Sequence, residues 1–378
     1  MPPPVAEILF TVFSFILGAS IGSFLNVCIY RMPLNLSVNE PRRSFCPTCK
    51  FQIPWYQNLP LFSWLALRGK CANCGAKISF RYFGVELLTG LLFLAIWARV
   101  MIWPRPEWPD APWILLLPLW ILVSLLVVAT FIDFEHFIIP DEITWGGVGA
   151  GVVLSLAIPL LMDTSSNLMG GFWSLVGAAV GYLTLWAVVE LGKRAFGKKR
   201  IAYEKAEPLT WTRHDDDADL VVGEETQKWS DLFARESDRL LVHCDEVEIE
   251  GARFEKVLLD FHYDRVEIGE KKWELIKLDA ITGRVTEITI PREAMGFGDV
   301  KFIAAIGAFL GWQAVFFTVV SASTLGAVVG LLTIAVGRRE WSAKIPFGPY
   351  LALGALIWIF IGPELVRWYL AYATVPAA

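Results

Sequence analysis

Two aspartates stand where long apolar stretches meet polar sequence: Asp133 in ATFIDFEHFIIPDEIT and Asp299 in REAMGFGDVKFIAAIGAFLG. An ionisable group at the edge of such a stretch is expensive to desolvate and marks a candidate functional site. Two carboxylates held within hydrogen-bond reach cannot both ionise easily and share a proton. One then serves as base toward a water, the other as acid toward a carbonyl oxygen, which is the chemistry of aspartic peptide hydrolysis. Gly296 and Gly298 flank Phe297 just before Asp299. Lacking Cβ atoms, they let the backbone turn sharply or let an extended peptide lie close. The plainer reading is that both aspartates are helix caps or interfacial charges. Asp299 would cap the helix that follows it. Asp141, after Pro140, invites the capping reading still more strongly, and Glu135 and His136 compete with Asp133 for a place in the site.

A second constellation is FCPTCK at 45–50 and KCANCG at 70–75. Each Cys-x-x-Cys lets two thiolates from one tight knuckle reach one metal ion. Together Cys46, Cys49, Cys71 and Cys74 make a closed four-thiolate site of the kind zinc prefers, structural because no position stays open. Gly75 suits the positive-φ turn of a knuckle. Two disulfides are the alternative, disfavoured in a reducing cytosol. A redox role lacks the βαβ surroundings it would need. Cys28 and Cys244 remain, and Cys28 in its apolar run reads as packing.

The elements that must position these groups are membrane helices. The chain of 378 residues is 55% hydrophobic and 19% charged, with mean hydropathy +0.50 and net charge −5, which argues against nucleic acid as a partner. About 20 apolar residues span a bilayer. Runs 8–30, 112–132, 143–162 and 168–189 carry no charge, and 82–103 carries two, Glu86 and Arg99. Run 302–337 is too long for one span and is expected to break at Gly311 and Trp312; a last span begins near Gly348. The expected fold is an all-α polytopic bundle of about eight membrane helices with a four-cysteine loop and a small β-rich insert. The first run lacks the basic start and small-residue cleavage site of a signal peptide. Lys and Arg cluster in 31–81, after 192 and at 338–344, while 104–111 and 163–167 hold one Arg. The positive-inside rule puts the three basic regions, and both aspartates, on the cytoplasmic side.

The sequence resembles the bacterial prepilin peptidases, the G-x-G-D aspartyl enzymes of type IV pili and type II secretion. The match is carried by GASIGSFLNVCIYRMP at 18–33, the paired cysteines, RYFGVELLTG at 81–90, FIDFEHFIIPDEIT at 131–144, MGFGDVKFIAAIGAFLGW at 295–312 and PFGPYLALGA at 346–355. The resemblance implies cleavage of prepilins or pseudopilins after the glycine ending their basic leader, at the cytoplasmic face of the inner membrane. It further implies methylation of the new N-terminal residue, usually Phe, with S-adenosylmethionine. By motif the catalytic pair is Asp133 and Asp299, and the zinc ligands are the four cysteines. The methyltransferase region is 18–90, with Gly22, Ser23, Asn26, Arg31 and Glu86 as its matching polar or small positions. Asn26, Arg31 and Glu86 are the candidate cofactor contacts. No G-x-G-x-x-G follows a strand, so the cofactor rests on the resemblance. Relatives without the cysteines are thought to be peptidases alone. Pro346-Phe347-Gly348-Pro349 reads equally as a helix start and as a wall of the substrate groove.

The division that follows is a first helix 1–30, a zinc loop 31–82, helices with the first aspartate in 83–192, a soluble β-rich insert 193–294, and helices with the second aspartate in 295–378. The insert departs from the family pattern. After 240 apolar residues alternate (Val247, Ile249; Val257, Leu259, Phe261, Tyr263; Val266, Ile268; Trp273, Leu275), punctuated by Gly269 and Thr282-Gly283, as in an antiparallel β unit. A helical or irregular segment is expected at 224–241. The run at Arg213–Asp217 reads as a solvated loop, and His214 and His243 as surface residues. The insert would dock a pilus or secretion component or the substrate. Three alternatives stay open: a peptidase with a merely structural zinc loop, a transporter with coupled aspartates, and a non-catalytic scaffold.

Overall fold

The structure is a computed structural model that describes residues 5–41, 43–106, 108, 112–196, 198–214, 217–233, 239–291, 296–336 and 346–373. It divides into two compact units, 1–186 with 296–378, and 187–295.

The first unit is helical. Its elements are α1 (Val5–Arg31), α2 (Phe62–Ala66), α3 (Phe80–Trp97), α4 (Leu116–His136), α5 (Asp141–Ala157) and α6 (Asn167–Phe196, whose last turns belong to the second unit), then α8 (Phe297–Ala335) and α9 (Gly348–Ala373). Helices suit these runs because hydrocarbon offers no partner for an unpaired backbone group. Six helices among the described residues are long and apolar enough to cross a membrane: Glu7–Leu34, Phe80–Ile102, Pro112–His136, Asn167–Arg194, Phe297–Ala335 and Gly348–Tyr372. This is fewer than the eight expected, for two reasons. The segment 143–162 forms α5, whose 17 residues rise about 26 Å, short of a hydrocarbon core of roughly 30 Å. The sixth and seventh expected spans form one 39-residue element, α8, interrupted at Gly311, where φ is 80° and ψ 172°. That left-handed φ favours glycine, and it lies where the sequence marks the break.

Small residues let these helices approach. Gly18 and Gly22 of α1 face α3: a Cβ on Gly22 would stand 2.8 Å from the Glu86 Cα. Gly177 and Gly181 of α6 lie against Gly307 and Ile303 of α8, with a hypothetical Gly177 Cβ only 2.1 Å from the Gly307 carbonyl oxygen. Both pairs are small-xxx-small stripes, the usual seam of membrane helices. Nearby, the Ser174 hydroxyl donates to the Ala308 carbonyl at 2.7 Å. In α9, Pro363 offers no N–H to the Ile359 carbonyl. The Arg105 guanidinium donates to the carbonyls of Trp358 (3.1 Å) and Ile359 (3.2 Å) instead.

The second unit is an antiparallel sheet of eight strands in the order β3-β2-β1-β8-β4-β5-β6-β7. The strands are β1 (Lys198–Arg213), β2 (Ala218–Val222), β3 (Glu225–Lys228), β4 (Leu240–Ile249), β5 (Ala252–Phe261), β6 (Arg265–Ile268), β7 (Lys271–Glu274) and β8 (Ala280–Pro291), with α7 (Trp229–Leu232) between β3 and β4. Trp211, Trp229, Leu240, Phe261 and Ile281 are buried in its core. The alternation expected after 240 forms β4 to β8. Within the stretch expected to be helical or irregular, 224–241, lie β3, the single turn α7 and the start of β4, while 234–238 fall outside the described residues. The two strands before it, β1 and β2, and β3 within it were not expected. Leu209 and Trp211 alternate inward on β1, but Pro208 and a register shift between Ala202 and Glu207 mask the period. Thr282-Gly283 is not a break either. It sits inside β8, and a Cβ on Gly283 would stand 2.6 Å from the Glu246 carbonyl oxygen, so glycine is there for close strand approach. Gly269, at φ 60°, does make the turn between β6 and β7. Asp215 and Asp216 of the acidic run lie outside the described residues; His214 and His243 are exposed, and His214 meets Asp219 at 3.0 Å.

Candidate active site

Asp133 occupies the last turn of α4, which Phe137 closes in a left-handed conformation (φ 56°) with its N–H on the Asp133 carbonyl. A carboxylate at a helix C-terminus faces the negative end of the helix dipole. It is met from elsewhere: the N–H of Gly348, first residue of α9, donates to Asp133 Oδ2 at 2.8 Å. A helix N-terminus is a ready anion site. Asp299 lies in the first turn of α8 but is not the cap expected of it. The cap position is Gly296, whose carbonyl receives the Asp299 N–H at 3.2 Å.

Both aspartates are buried, 5% and 7% exposed. Ile139, just beyond the end of the helix that carries Asp133, packs between the start of α8 and the start of α9. It lies 3.3 Å from where a Gly298 Cβ would be and 3.0 Å from where a Gly348 Cβ would be. Asp299 Oδ1 has no hydrogen-bond partner among the described residues. Neither Gly296 nor Gly298 has positive φ; Gly298 supplies room for Ile139. Asp141, expected as a cap, is not one. Pro140 holds the cap position, and Asp141 pairs with Lys301 of α8 at 2.6 Å.

The four cysteines come together. All four Sγ atoms lie within 4.8 Å of one another, with Cys46–Cys74 at 3.9 Å and Cys49–Cys71 at 4.0 Å, and no disulfide joins them. Each pair sits in a small hairpin, Phe45 bridging Gln52 and Lys70 bridging Lys77. The residue after each second cysteine has positive φ: Gly75 (71°), as expected, and Lys50 (57°), which its residue type does not announce. The backbone N–H of Cys49 holds the Cys46 thiol down at about 6. The N–H of Phe51, then the Asn73 side chain, lowers Cys49. At Cys74 the Ala76 N–H works downward, but the surrounding thiols and burial outweigh it and push the group up to about 11. Such a set of thiols can take a metal ion.

Above the cysteines opens a cavity of about 600 Å³, lined by α1, the loop, α3 and the end of α4. Asn26, Arg31 and Glu86 all line it, but they are not equally available to a ligand. Arg31 donates to the carbonyls of Ser37, Val38 and Pro41, so it shapes the loop entrance. Glu86 accepts the Leu61 N–H at 2.7 Å. Asn26 donates to the Tyr82 carbonyl at 2.9 Å and leaves its Oδ1 buried without a partner. Two groups that the motifs left in the balance also reach this cavity, Glu135 and His136; Arg81 pairs with Glu135 and so ties α3 to α4. Cavities of this size, mostly apolar with a few converging polar groups, suit small-molecule ligands.

Two protein-family models match the chain. The model of the bacterial peptidase A24 N-terminal domain matches residues 16–100, and that of the type IV leader peptidase family matches 120–202 and 271–331, passing over most of the sheet unit. The chain is 33% identical over 365 residues to the prepilin leader peptidase/N-methyltransferase of Myxococcus xanthus, covering 95% of this chain and 75% of that one. It is 31% identical to the protein of that name from Aeromonas hydrophila (94% and 92% covered) and 27% identical to that from Pseudomonas aeruginosa (98% and 96%). No solved structure matches. A two-aspartate centre at helix ends, a four-cysteine loop and relatives this similar along nearly the whole length lead to one conclusion: the chain belongs to the type IV leader peptidase family.

Proposed function

We propose that the protein cleaves the leader of type IV prepilins or pseudopilins and then N-methylates the residue it exposes. The observation that carries the peptidase half is that Asp133 and Asp299, buried and far apart in sequence, are gathered about Ile139, which packs against Gly298 beside Asp299 and against Gly348, whose N–H meets Asp133. In this reading the pair shares one proton. One carboxylate takes a proton from water as its oxygen attacks the carbonyl carbon of the glycine that ends the leader, and the other gives its proton to that carbonyl's oxygen. When the C–N bond breaks, a proton passes to the departing amine. The N–H of Gly348 suits Asp133 to the ionised role, and the unpartnered Oδ1 of Asp299 suits that group to meet water or substrate.

For the second reaction, S-adenosylmethionine would supply an electrophilic methyl group. The cavity above the cysteines fits such a cofactor because it leaves the buried Oδ1 of Asn26 without a partner. Asn26 and Glu86 would hold it, while Arg31 fixes the loop. The metal of the loop would be zinc. Tetrahedral zinc thiolates at about 2.3 Å set sulfurs roughly 3.8 Å apart, close to the spacings here.

The same reading has eight membrane segments, counting α5 and both halves of α8, in the inner membrane, with the aspartates and the cysteine loop on the cytoplasmic side. It divides the chain into the zinc loop at 31–82, membrane segments on either side of an insert at 193–294, and an insert that docks pilus or secretion components. The test is incubation of purified protein with a prepilin and S-adenosylmethionine, reading the product N-terminus by mass spectrometry. A mature, methylated N-terminus supports both halves. A cut but unmethylated one removes the transferase half. An uncut prepilin, with a related enzyme cutting it in parallel, removes the peptidase half.

A further inference from the structure

The cysteine loop carries apolar side chains that neither its own core nor a membrane span accounts for. Trp55 is 77% exposed and Phe62 68%, and Tyr56 and Leu65 are also more than half exposed. All four fall within eleven residues, on the short 3-10 turn Trp55–Gln57 and on α2. Phe62 and Leu65 stand one turn apart on one side of α2. Most other exposed Leu, Phe and Trp side chains lie on helices long and apolar enough to lie in lipid, but 55–65 belongs to no such helix. Nor does this patch line the cavity beside it, since none of the four side chains is among its walls.

Charge identifies what would cover it. Between Glu40 and Glu86 there is no Asp or Glu, but there are seven Lys and Arg residues. Arg43, Lys50, Arg68, Lys70 and Lys77 are exposed, and none of these five forms an ion pair among the described residues. The loop joins the end of α1 to the start of α3, both candidate spans, so it leaves and re-enters at the bilayer surface. Aromatic and leucine side chains beside unpaired cations are the composition of a surface seated at the headgroup level of an anionic leaflet. A basic peptide leader would be repelled by the same charge.

We infer that the cysteine loop is seated by its 55–65 segment in the surface of an anionic lipid leaflet, the aromatic side chains of that segment at the acyl boundary and the cations that flank it in the loop, Arg43, Lys50, Arg68, Lys70 and Lys77, among the phosphates. The inference does not depend on the chemistry proposed above.

The test uses the full-length protein, active or not, in vesicles of phosphatidylcholine with or without a quarter of phosphatidylglycerol. A genetically encoded fluorescent residue replaces Phe62 or, as control, Asn73, and each is quenched by brominated acyl chains and by aqueous iodide. Expected is bromolipid quenching at 62 several-fold stronger than at 73, strengthened by phosphatidylglycerol and weakened in high salt. Equal bromolipid quenching at the two positions, with 62 open to iodide, overturns the inference. Shielding of 62 from both quenchers overturns it too, since protein would then cover the patch. Quenching at 62 indifferent to phosphatidylglycerol and salt removes the anionic leaflet as the partner.

Discussion

Gly348 has no room for a side chain. A Cβ there would stand 2.8 Å from Asp133 Oδ2 and 3.0 Å from Ile139 Cδ1. Gly348→Ala is therefore expected to push the carboxylate off the N–H that orients it. Because misplacement of about 1 Å can cost around 100-fold in rate, prepilin cleavage should fall by that order while the protein still inserts; cleavage near the wild-type rate would argue that Asp133 is oriented by something else. Asp133→Asn and Asp299→Asn remove the shared proton altogether. Each is expected to lower cleavage at least about 100-fold, yet methylation of a peptide already cut should persist, measured by transfer of a labelled methyl group. Loss of that transfer in Asp299→Asn would refute two separate centres. Both aspartates were legible because carboxylates at the ends of apolar runs are rare enough to be noticed. Gly348 was ambiguous in the sequence, since Pro-Phe-Gly-Pro also starts helices; only the fold brings its N–H to Asp133.

At the scale of elements, the two knuckles hold four thiols within 4.8 Å of one another, a cluster hard to maintain with no ion to bind it. Removing metal with a strong chelator, or Cys46→Ser, is expected to loosen the loop and abolish methyl transfer. Cleavage at Asp133 and Asp299 should stay within about threefold, because those residues sit on α4 and α8. The readouts are metal content, methyl transfer and cleavage on one preparation; parallel loss of both activities would mean the loop also shapes the peptidase site. The knuckles were readable because Cys-x-x-Cys spacing is local chemistry. The helix seams were less so. Gly177, Gly181, Gly307 and Gly311 form two small-xxx-small stripes in plain view, but in apolar runs rich in glycine only a partner helix reveals which glycines are crowded. The difference between eight expected segments and six helices long enough to span has a related reason: hydropathy registers apolar runs, but it does not show that 143–162 contributes to a helix of only 17 residues.

At the scale of the molecule, the sheet unit has its own core, closed by Trp211, Trp229 and Phe261, and the family model passes over residues 203–270. Replacing 200–290 by a short linker is expected to leave the membrane unit folded and cleavage of a short prepilin peptide within a few-fold of wild type. Complete loss of cleavage in a well-folded variant would make the unit an obligatory part of the enzyme. The sequence announced the later strands, where alternation is clean, and hid β1, where a proline and a register shift break the period. The first and last strands of this unit pair antiparallel along most of their length, starting with Lys198 opposite Pro291. Chain entry and exit are thus neighbours, a strand's width apart. Whatever grows or shrinks beyond that doorway leaves the distance between α6 and α8 unchanged. The position is accordingly a natural port for grafting: a fluorescent protein or affinity module whose own termini are adjacent can be exchanged for the native sheet without re-tailoring the helices on either side.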